Sequence, residues 1–364
     1  MTETSALVLT EVRGRIGCIT LNRARALNAL SLEMVRDLMA TLLQWRDDPQ
    51  VLAVALRGSN KEGVFGALCA GGDIRFLHQA GSTGNPQLED FFTEEYALNH
   101  LIHHYPKPYI AFMDGIVMGG GMGISQGASA RIVTERTKMA MPETAIGLFP
   151  DVGGGYFLSR CPGCSGEWLA LTGEAIGAGD AIALGLADGY VPSAQLPSIW
   201  DALTGQDFAD SAAVQQWIDG QLGTAEPHFA QYKGEIAQYF SLPTVGAIIA
   251  ALEAADSDWA QATAALLRKR SPLMLHVVLE QVRRARGMGL ADDLRMERDM
   301  VRHCFYLRPG ESETVEGIRA LAVDKDHAPR WNPARIEEVQ DAQWQAFFVS
   351  PWPAHAHPLA GLAD

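Results

Sequence analysis

No apolar run in this chain approaches the roughly 18 residues needed to cross a bilayer, so a membrane-spanning helix is not expected. Basic residues are in deficit: 29 Lys and Arg stand against 43 Asp and Glu, a formal net charge of −14. That balance argues against nucleic acid and against anionic membranes as partners. It leaves room for an anionic small ligand, because local basic groups and helix N-termini hold phosphates inside negative proteins. Cysteine is scarce, odd in number and scattered: Cys18, Cys69, Cys161, Cys164 and Cys304. Such usage fits reduced thiols in a reducing compartment and not a disulfide framework. The lone Cys161-x-x-Cys164 lacks the second ligand pair of a zinc site. It reads as a Pro-Gly turn flanked by thiols, with a redox pair as the alternative. The opening MTETSALVLT has neither the basic and apolar regions of a secretory signal nor the Arg-rich, acid-poor character of a mitochondrial transit peptide. A cytoplasmic location is expected.

What is present is ordinary globular composition: 364 residues, 48% hydrophobic and 20% charged, about two domains' worth with ample material for a core. Residues 7–12 and 16–21 alternate around Arg13-Gly14-Arg15 and predict a β-hairpin. Ser31 caps a helix with apolar pairs at Met34/Val35, Leu38/Met39 and Leu42/Leu43. Residues 51–56 read as a buried strand, 58–73 as a glycine-containing loop and 88–104 as a helix. Pro106 and Pro108 stop that helix before a strand over 109–113. Six glycines crowd 114–127, a strand follows over 131–134, and a second glycine-rich turn spans 147–155. This strand–strand–helix rhythm predicts an α/β fold with both sheet faces covered. After about residue 195 helical stripes dominate, at 214–222, 244–254, 273–282 and 294–305. The Pro- and polar-rich stretch 192–211 is the expected boundary between an α/β part, 1–195, and a mainly helical part, 196–364.

Three segments offer chemistry. Gly119-Gly120-Gly121-Met122-Gly123 follows a strand and opens a helix, where glycines let a ligand approach free N–H groups. It fails the G-x-G-x-x-G dinucleotide pattern, and no phosphate-binding G-x-x-x-x-G-K-[ST] exists; a tight strand-to-helix packing contact is the alternative. Cys69-Ala70-Gly71-Gly72-Asp73-Ile74 is a small-residue turn with another free N–H. In Met141-Pro142-Glu143 through Phe149-Pro150-Asp151-Val152-Gly153-Gly154-Gly155, two carboxylates eight residues apart flank an apolar stretch. Carboxylates among apolar neighbours are costly unless paired or functional; an exposed acidic loop is the alternative.

In order and spacing these segments resemble the crotonase superfamily, also called enoyl-CoA hydratase/isomerase. The opening Leu21-Asn22-Arg23-Ala24-Arg25-Ala26-Leu27-Asn28-Ala29-Leu30 is similar to that family's coenzyme A contact, with Ala24 in place of the usual proline. Residues 141–158, together with FFTEEYALN at 91–99 and VDKDHAPRW at 323–331, look most like its 3-hydroxyisobutyryl-CoA hydrolase branch. The resemblance covers most of the chain and is weakest at about 195–265. It implies a crotonase-like spiral of strand–strand–helix units with a helical C-terminal region. It also implies oxyanion-hole N–H groups at Gly72 and Gly120, catalytic acids at Glu143 and Asp151, substrate binding at Glu95, and coenzyme A contacts at Arg25, Ala26 and Leu27. Glu95 is otherwise a solvated helix acid. No metal or redox cofactor is needed, since a thioester is already activated and coenzyme A arrives with the substrate; a homo-oligomer is compatible with the family.

The implied reaction is hydrolysis of a short 3-hydroxyacyl thioester in valine catabolism, with Glu143 either attacking the carbonyl or activating water. An enoyl-CoA hydratase is the first rival. Hydratases of this superfamily use a second glutamate three residues after the oxyanion-hole glycine, and that position here is Gly123. The second rival is an acyl-CoA-binding protein without catalysis, which would gain nothing from acids beside an anionic ligand.

Overall fold

The structure, a computed structural model, describes residues 6–61, 63 and 65–364. Residues 1–5, where the opening segment was read for a leader, and residues 62 and 64 of the 58–73 loop lie outside the described residues.

Strands β1 (Val8–Arg13) and β2 (Ile16–Leu21) form the expected antiparallel hairpin, with Arg13 opposite Ile16. Helix α1 (Leu32–Asp47) starts at the predicted cap, where the Ser31 side chain accepts from the Met34 N–H. It buries Met34, Val35, Leu38, Leu42 and Trp45 and leaves Leu43 exposed. Strand β3 (Ala53–Gly58) begins two residues later than the apolar run suggests. Helix α2 (Ile74–Thr83), capped by Asp73, is an element the sequence reading missed. Next come α3 (Gln87–His103), β4 (Tyr109–Met113), β5 (Ile116–Met118), α4 (Gly120–Gln126), β6 (Ala130–Val133) and β7 (Lys138–Ala140). Then follow α5 (Gly154–Leu158), α6 (Ser165–Thr172), α7 (Ala178–Ala183) and β8 (Gly189–Tyr190). The remaining helices are α8 (Leu196–Gly205), α9 (Ser211–Asp219), α10 (Lys233–Phe240), α11 (Val245–Glu253), α12 (Asp258–Leu267), α13 (Pro272–Ala285), α14 (Leu290–Tyr306), α15 (Glu313–Ile318) and α16 (Asp341–Gln345).

The chain forms two compact units from interleaved segments. The first takes residues up to 72, 97–139 and 176–228; the second takes 73–96, 140–175 and 229–364. In the first, a six-stranded sheet runs β1-β2-β3-β4-β6-β8, parallel except for the β1–β2 pair. Strand β4 is buried at every residue, as expected of a parallel strand covered on both faces. Ile16, Ala55, Ile110 and Phe112 pack there with Trp200, Leu203, Val214 and Ile218 from α8 and α9. The second unit is mainly helical. Helix α13 has ten buried residues and packs against α5, α6, α11 and α16, while α14 packs against α5 and α15.

Candidate active site

In the first unit, backbone donors and a basic cleft are built from the same ladder. Asn28 is fully buried at φ 58°. Its Nδ2 donates to the carbonyls of Ser59 (3.0 Å) and Ala67 (2.8 Å), and its Oδ1 accepts from the Arg23 N–H (2.8 Å). These bonds pin the 23–28 turn, whose Leu27 also takes the left-handed conformation. Leu27 and Arg25 are exposed and Ala26 is half-buried. The Ala70 N–H donates to Leu27 O at 3.0 Å, and the Leu30 N–H to Gly71 O at 2.8 Å. The coenzyme A candidates are thereby tied to the Cys69–Gly72 segment. Beside them opens a cleft of about 570 Å³ lined by Leu7, Asn22, Arg23, Ala24, Arg25 and Lys61. It concentrates three cations in a chain of net charge −14, which suits phosphate groups. Lys61 was not singled out from the sequence, and it carries no motif there.

The Gly72 and Gly120 segments meet as expected. Cys69 bridges to Val117, with the Cys69 N–H donating to Ile116 O (3.1 Å) and the Met118 N–H returning to Cys69 O (3.0 Å). A Cβ on Gly71 would lie 3.9 Å from the Gly120 nitrogen, and one on Gly121 would sit 2.4 Å from Cys69 O. Gly119, at φ 48° and ψ −119°, turns the chain from β5 into α4 in a conformation that favours glycine. Among the described residues, the N–H groups of Gly72 and Gly120 have no acceptor. Two adjacent free donors can receive a carbonyl oxygen that gains negative charge. Gly123, inside α4, presents no side chain; its N–H is spent on Gly119 O at 3.1 Å.

The second unit gathers the acids. Glu143 opens a single 3-10 turn behind Pro142. The turn is held by Thr144 Oγ1 to Leu171 O (3.1 Å), by the Ser271 N–H to Thr144 O (3.2 Å) and by Thr314 Oγ1 to Gly147 O (2.6 Å). Glu143 and Asp151 are each 6% exposed and Glu95 is 2% exposed. The exposed-loop and solvated-helix alternatives therefore fall away. Glu143 Oε2 and Glu95 Oε1 have no hydrogen-bond partner. Asp151 Oδ2 accepts from the Tyr96 hydroxyl at 2.9 Å.

The loop carrying Asp151 is strained and strongly held. Val152 adopts φ 58° while buried, a poor conformation for a β-branched residue, costing on the order of 1–3 kcal/mol. Gln281 Nε2 donates to Pro150 O at 2.7 Å. The two oxygens of Glu297 accept from the N–H groups of Gly153 (2.8 Å) and Gly155 (2.9 Å), and Asp293 Oδ2 accepts from the Tyr156 N–H (2.9 Å). Helix α14 thus caps α5 with two buried acids. Its Arg298, buried beside them, bonds Thr93 Oγ1 (2.9 Å) and pairs with Glu89, both on α3. Tyr96, Gln281, Asp293 and Glu297 escaped the sequence reading. The usable signal was an acid pair four residues apart within the apolar stripe of 294–305 and just before it.

Burial raises the carboxyls of Glu95, Glu143, Asp151, Asp293 and Glu297, but unequally. Asp151 rises only to about 6, because the Tyr96 bond favours its charged form. Glu143 goes well above the usual carboxylate range, from burial first and the Asp151 charge second. Glu95 follows for the same two reasons. Asp151 is thus the acid with a side-chain donor to its charged form, and Glu143 the one whose charged form is opposed by burial and by Asp151. Acids pushed apart in this way can divide proton-transfer roles.

A family model for enoyl-CoA hydratase/isomerase matches residues 16–348. The mitochondrial 3-hydroxyisobutyryl-CoA hydrolase of Gallus gallus is 38% identical over 349 residues, 93% of this chain and 88% of that protein. The probable 3-hydroxyisobutyryl-CoA hydrolase 3 of Arabidopsis thaliana is also 38% identical, over 94% of this chain and 91% of its own. Among solved structures, a carnitinyl-CoA dehydratase from Mycobacterium thermoresistibile matches with a TM-score of 0.88 at 38% identity, covering 96% of this chain and 98% of that one. An enoyl-CoA hydratase from Rhodobacter sphaeroides 2.4.1 matches with a TM-score of 0.85 at 38% identity, covering 95% and 98%. The crotonase-like α/β fold expected from the motifs is the fold of the chain.

Proposed function

The chain belongs to the enoyl-CoA hydratase/isomerase family, and on that premise we propose that it hydrolyses the thioester of a short 3-hydroxyacyl-CoA, 3-hydroxyisobutyryl-CoA above all, to the free acid and coenzyme A. The observation that carries this reading is the buried pair Glu143 and Asp151 in a chain whose residue 123 is glycine. The curated relatives reported above bear the hydrolase name and support this reading, while the two solved structures bear dehydratase and hydratase names. Hydration needs a group to activate water and a group to manage the α-proton, and a glycine at 123 supplies neither.

In this mechanism the N–H groups of Gly72 and Gly120 receive the thioester oxygen, and Glu143, once ionised, attacks the carbonyl carbon or takes a proton from the water that does. Asp151 holds the 3-hydroxyl or manages the proton for the departing thiolate. Glu95 lines the acyl group. Arg25, Ala26, Leu27 and the cations around them hold the coenzyme A moiety. Family membership is what assigns the two sets of groups to one substrate. The chemistry asks for no metal or redox cofactor, because polarisation and proton transfer suffice. A role in valine catabolism follows from the acyl group. A cytosolic setting is consistent with five unbridged cysteines, and cell fractionation tests it against the mitochondrial location that the vertebrate relatives' names print. Among the described residues no helix is long and apolar enough to cross a membrane.

The test is paired: thiol release from 3-hydroxyisobutyryl-CoA and 3-hydroxypropionyl-CoA, and loss of enoyl absorbance from crotonyl-CoA. Thiol release with little hydration is expected. Strong hydration without thiol release would replace the hydrolase reading with a hydratase, and coenzyme A binding without either reaction would leave a binding protein.

A further inference from the structure

We infer that Tyr96 is a positioning residue for Asp151, fixing the carboxylate through Oδ2 and keeping it ionised so that Oδ1 is the oxygen that handles protons. The inference rests on the role proposed for Asp151. Tyr96 is fully buried on α3, one residue after Glu95, and its ring meets Phe92 edge-on at 6.0 Å. A buried phenol needs a partner for its hydroxyl, so an aromatic core residue satisfied by the nearest acceptor is the plain alternative. The identity of the acceptor favours the positioning role: it is Asp151, 55 residues away in sequence and one of the acids to which the proposed reaction gives work. Among the described residues no other side chain donates to Asp151.

The charged and titratable groups facing Asp151 are Glu95 and Tyr96 on α3, Glu143 on its 3-10 turn, and Glu297 and Cys304 on α14. The three other acids oppose a charge on Asp151, and the thiol is held neutral by burial. Among the described residues Tyr96 is the one side chain that favours that charge, and it is itself kept protonated, first by burial and then by the Asp151 charge. The hydroxyl therefore acts as a fixed donor: it favours the charged form of Asp151 and holds the torsion of its carboxylate, next in sequence to the strained Val152.

The experiment is Tyr96→Phe in the full chain, which removes one oxygen and keeps the ring. Thiol release should show kcat down about 10-fold, at the low side of proton-transfer effects, with KM within about twofold. The acid limb of the kcat pH profile should move up by about one unit, the size expected for losing a hydrogen bond to a charged group. A purely structural Tyr96 would lower the melting temperature and leave that limb in place. Site-specific 3-fluorotyrosine at 96, a stronger donor, should move the limb down; this variant keeps the test open if the phenylalanine chain folds poorly. Unchanged limbs in both variants overturn the inference. Carbon-13 NMR titration of the Asp151 carboxyl reads the same shift without substrate. If Asp151→Asn keeps wild-type turnover while the Tyr96→Phe titration still shifts, the catalytic reading of Asp151 fails and the Tyr96 contact stands. If Asp151→Asn is inactive and Tyr96→Phe shifts nothing, the reverse holds.

Discussion

At the scale of single residues, the proposed reaction asks for the proton of Glu143, a buried carboxyl raised above the usual carboxylate range. Glu143→Gln should retain coenzyme A binding and lose at least ~100-fold in turnover by thiol release; near-wild-type turnover would remove Glu143 from the mechanism. The raised pKa also sets a direction for pH. Thiol release should climb as pH rises through the Asp151 value of about 6 and as Glu143, raised by burial, loses its proton. Stability runs the other way. Burial lifts Asp293 from 3.8 to about 7, so between those values the folded chain holds a proton that the unfolded chain has released. The stabilisation from this group is present below about pH 4 and is lost as pH rises through about 7. Asp293→Asn keeps an oxygen for the Tyr156 N–H and removes the titration. Its melting temperature relative to wild type should therefore be higher at about pH 8 than at about pH 5 by several degrees; an equal offset at both would show that Asp293 does not titrate with unfolding.

At the scale of elements, close backbone approach decides what glycine does here. Helix α4 presses on the Cys69 segment so tightly that a Cβ at Gly121 would lie 2.4 Å from a carbonyl oxygen. Gly121→Ala must push α4 away and carry the Gly120 N–H with it. It should cost about 1–3 kcal/mol in urea unfolding and ~10-fold or more in kcat, a part of what a lost oxyanion donor costs. Gly246→Ala on α11 meets nothing within 4 Å; it should be neutral or stabilising and leave kcat alone. The same packing logic holds inside α2, where a Cβ at Gly81 would sit 2.5 Å from the Phe305 ring. The helix tolerates glycine because α14 demands the space, a demand arising 224 residues away in sequence.

At the scale of the whole molecule, the late helices complete both units. Residues 196–218 bring Trp200, Leu203, Val214 and Ile218 to the sheet of the first unit. Residues after 229 bring α13 and α14 to the second, including Gln281, Asp293 and Glu297, which hold the Asp151 loop. Truncation after Gln195 removes all of these. It should expose the sheet's apolar face, free the strained Val152 turn and yield an insoluble or inactive chain. A soluble truncation with full thiol release would show that the remaining residues suffice.

The sequence by itself determined what is local. Alternation around Arg13-Gly14-Arg15 set the hairpin and Ser31 set the start of α1, while the resemblance of the glycine and acid segments to a known family singled out Gly72, Gly120, Glu143 and Asp151 as candidates. Spacing and turn chemistry act over a few residues, so they are legible in one dimension. Tertiary structure decided the rest. Nothing local says that Glu95 is buried and not solvated, that Asn28 pins the Arg25–Leu27 turn through residues 59 and 67, or that Lys61 joins Arg23 and Arg25. Nor does any local pattern say which carboxyl keeps its proton. That choice is made by burial and by one hydroxyl reaching 55 residues along the chain, and an ionisation preference exists only once those groups share a low-dielectric space.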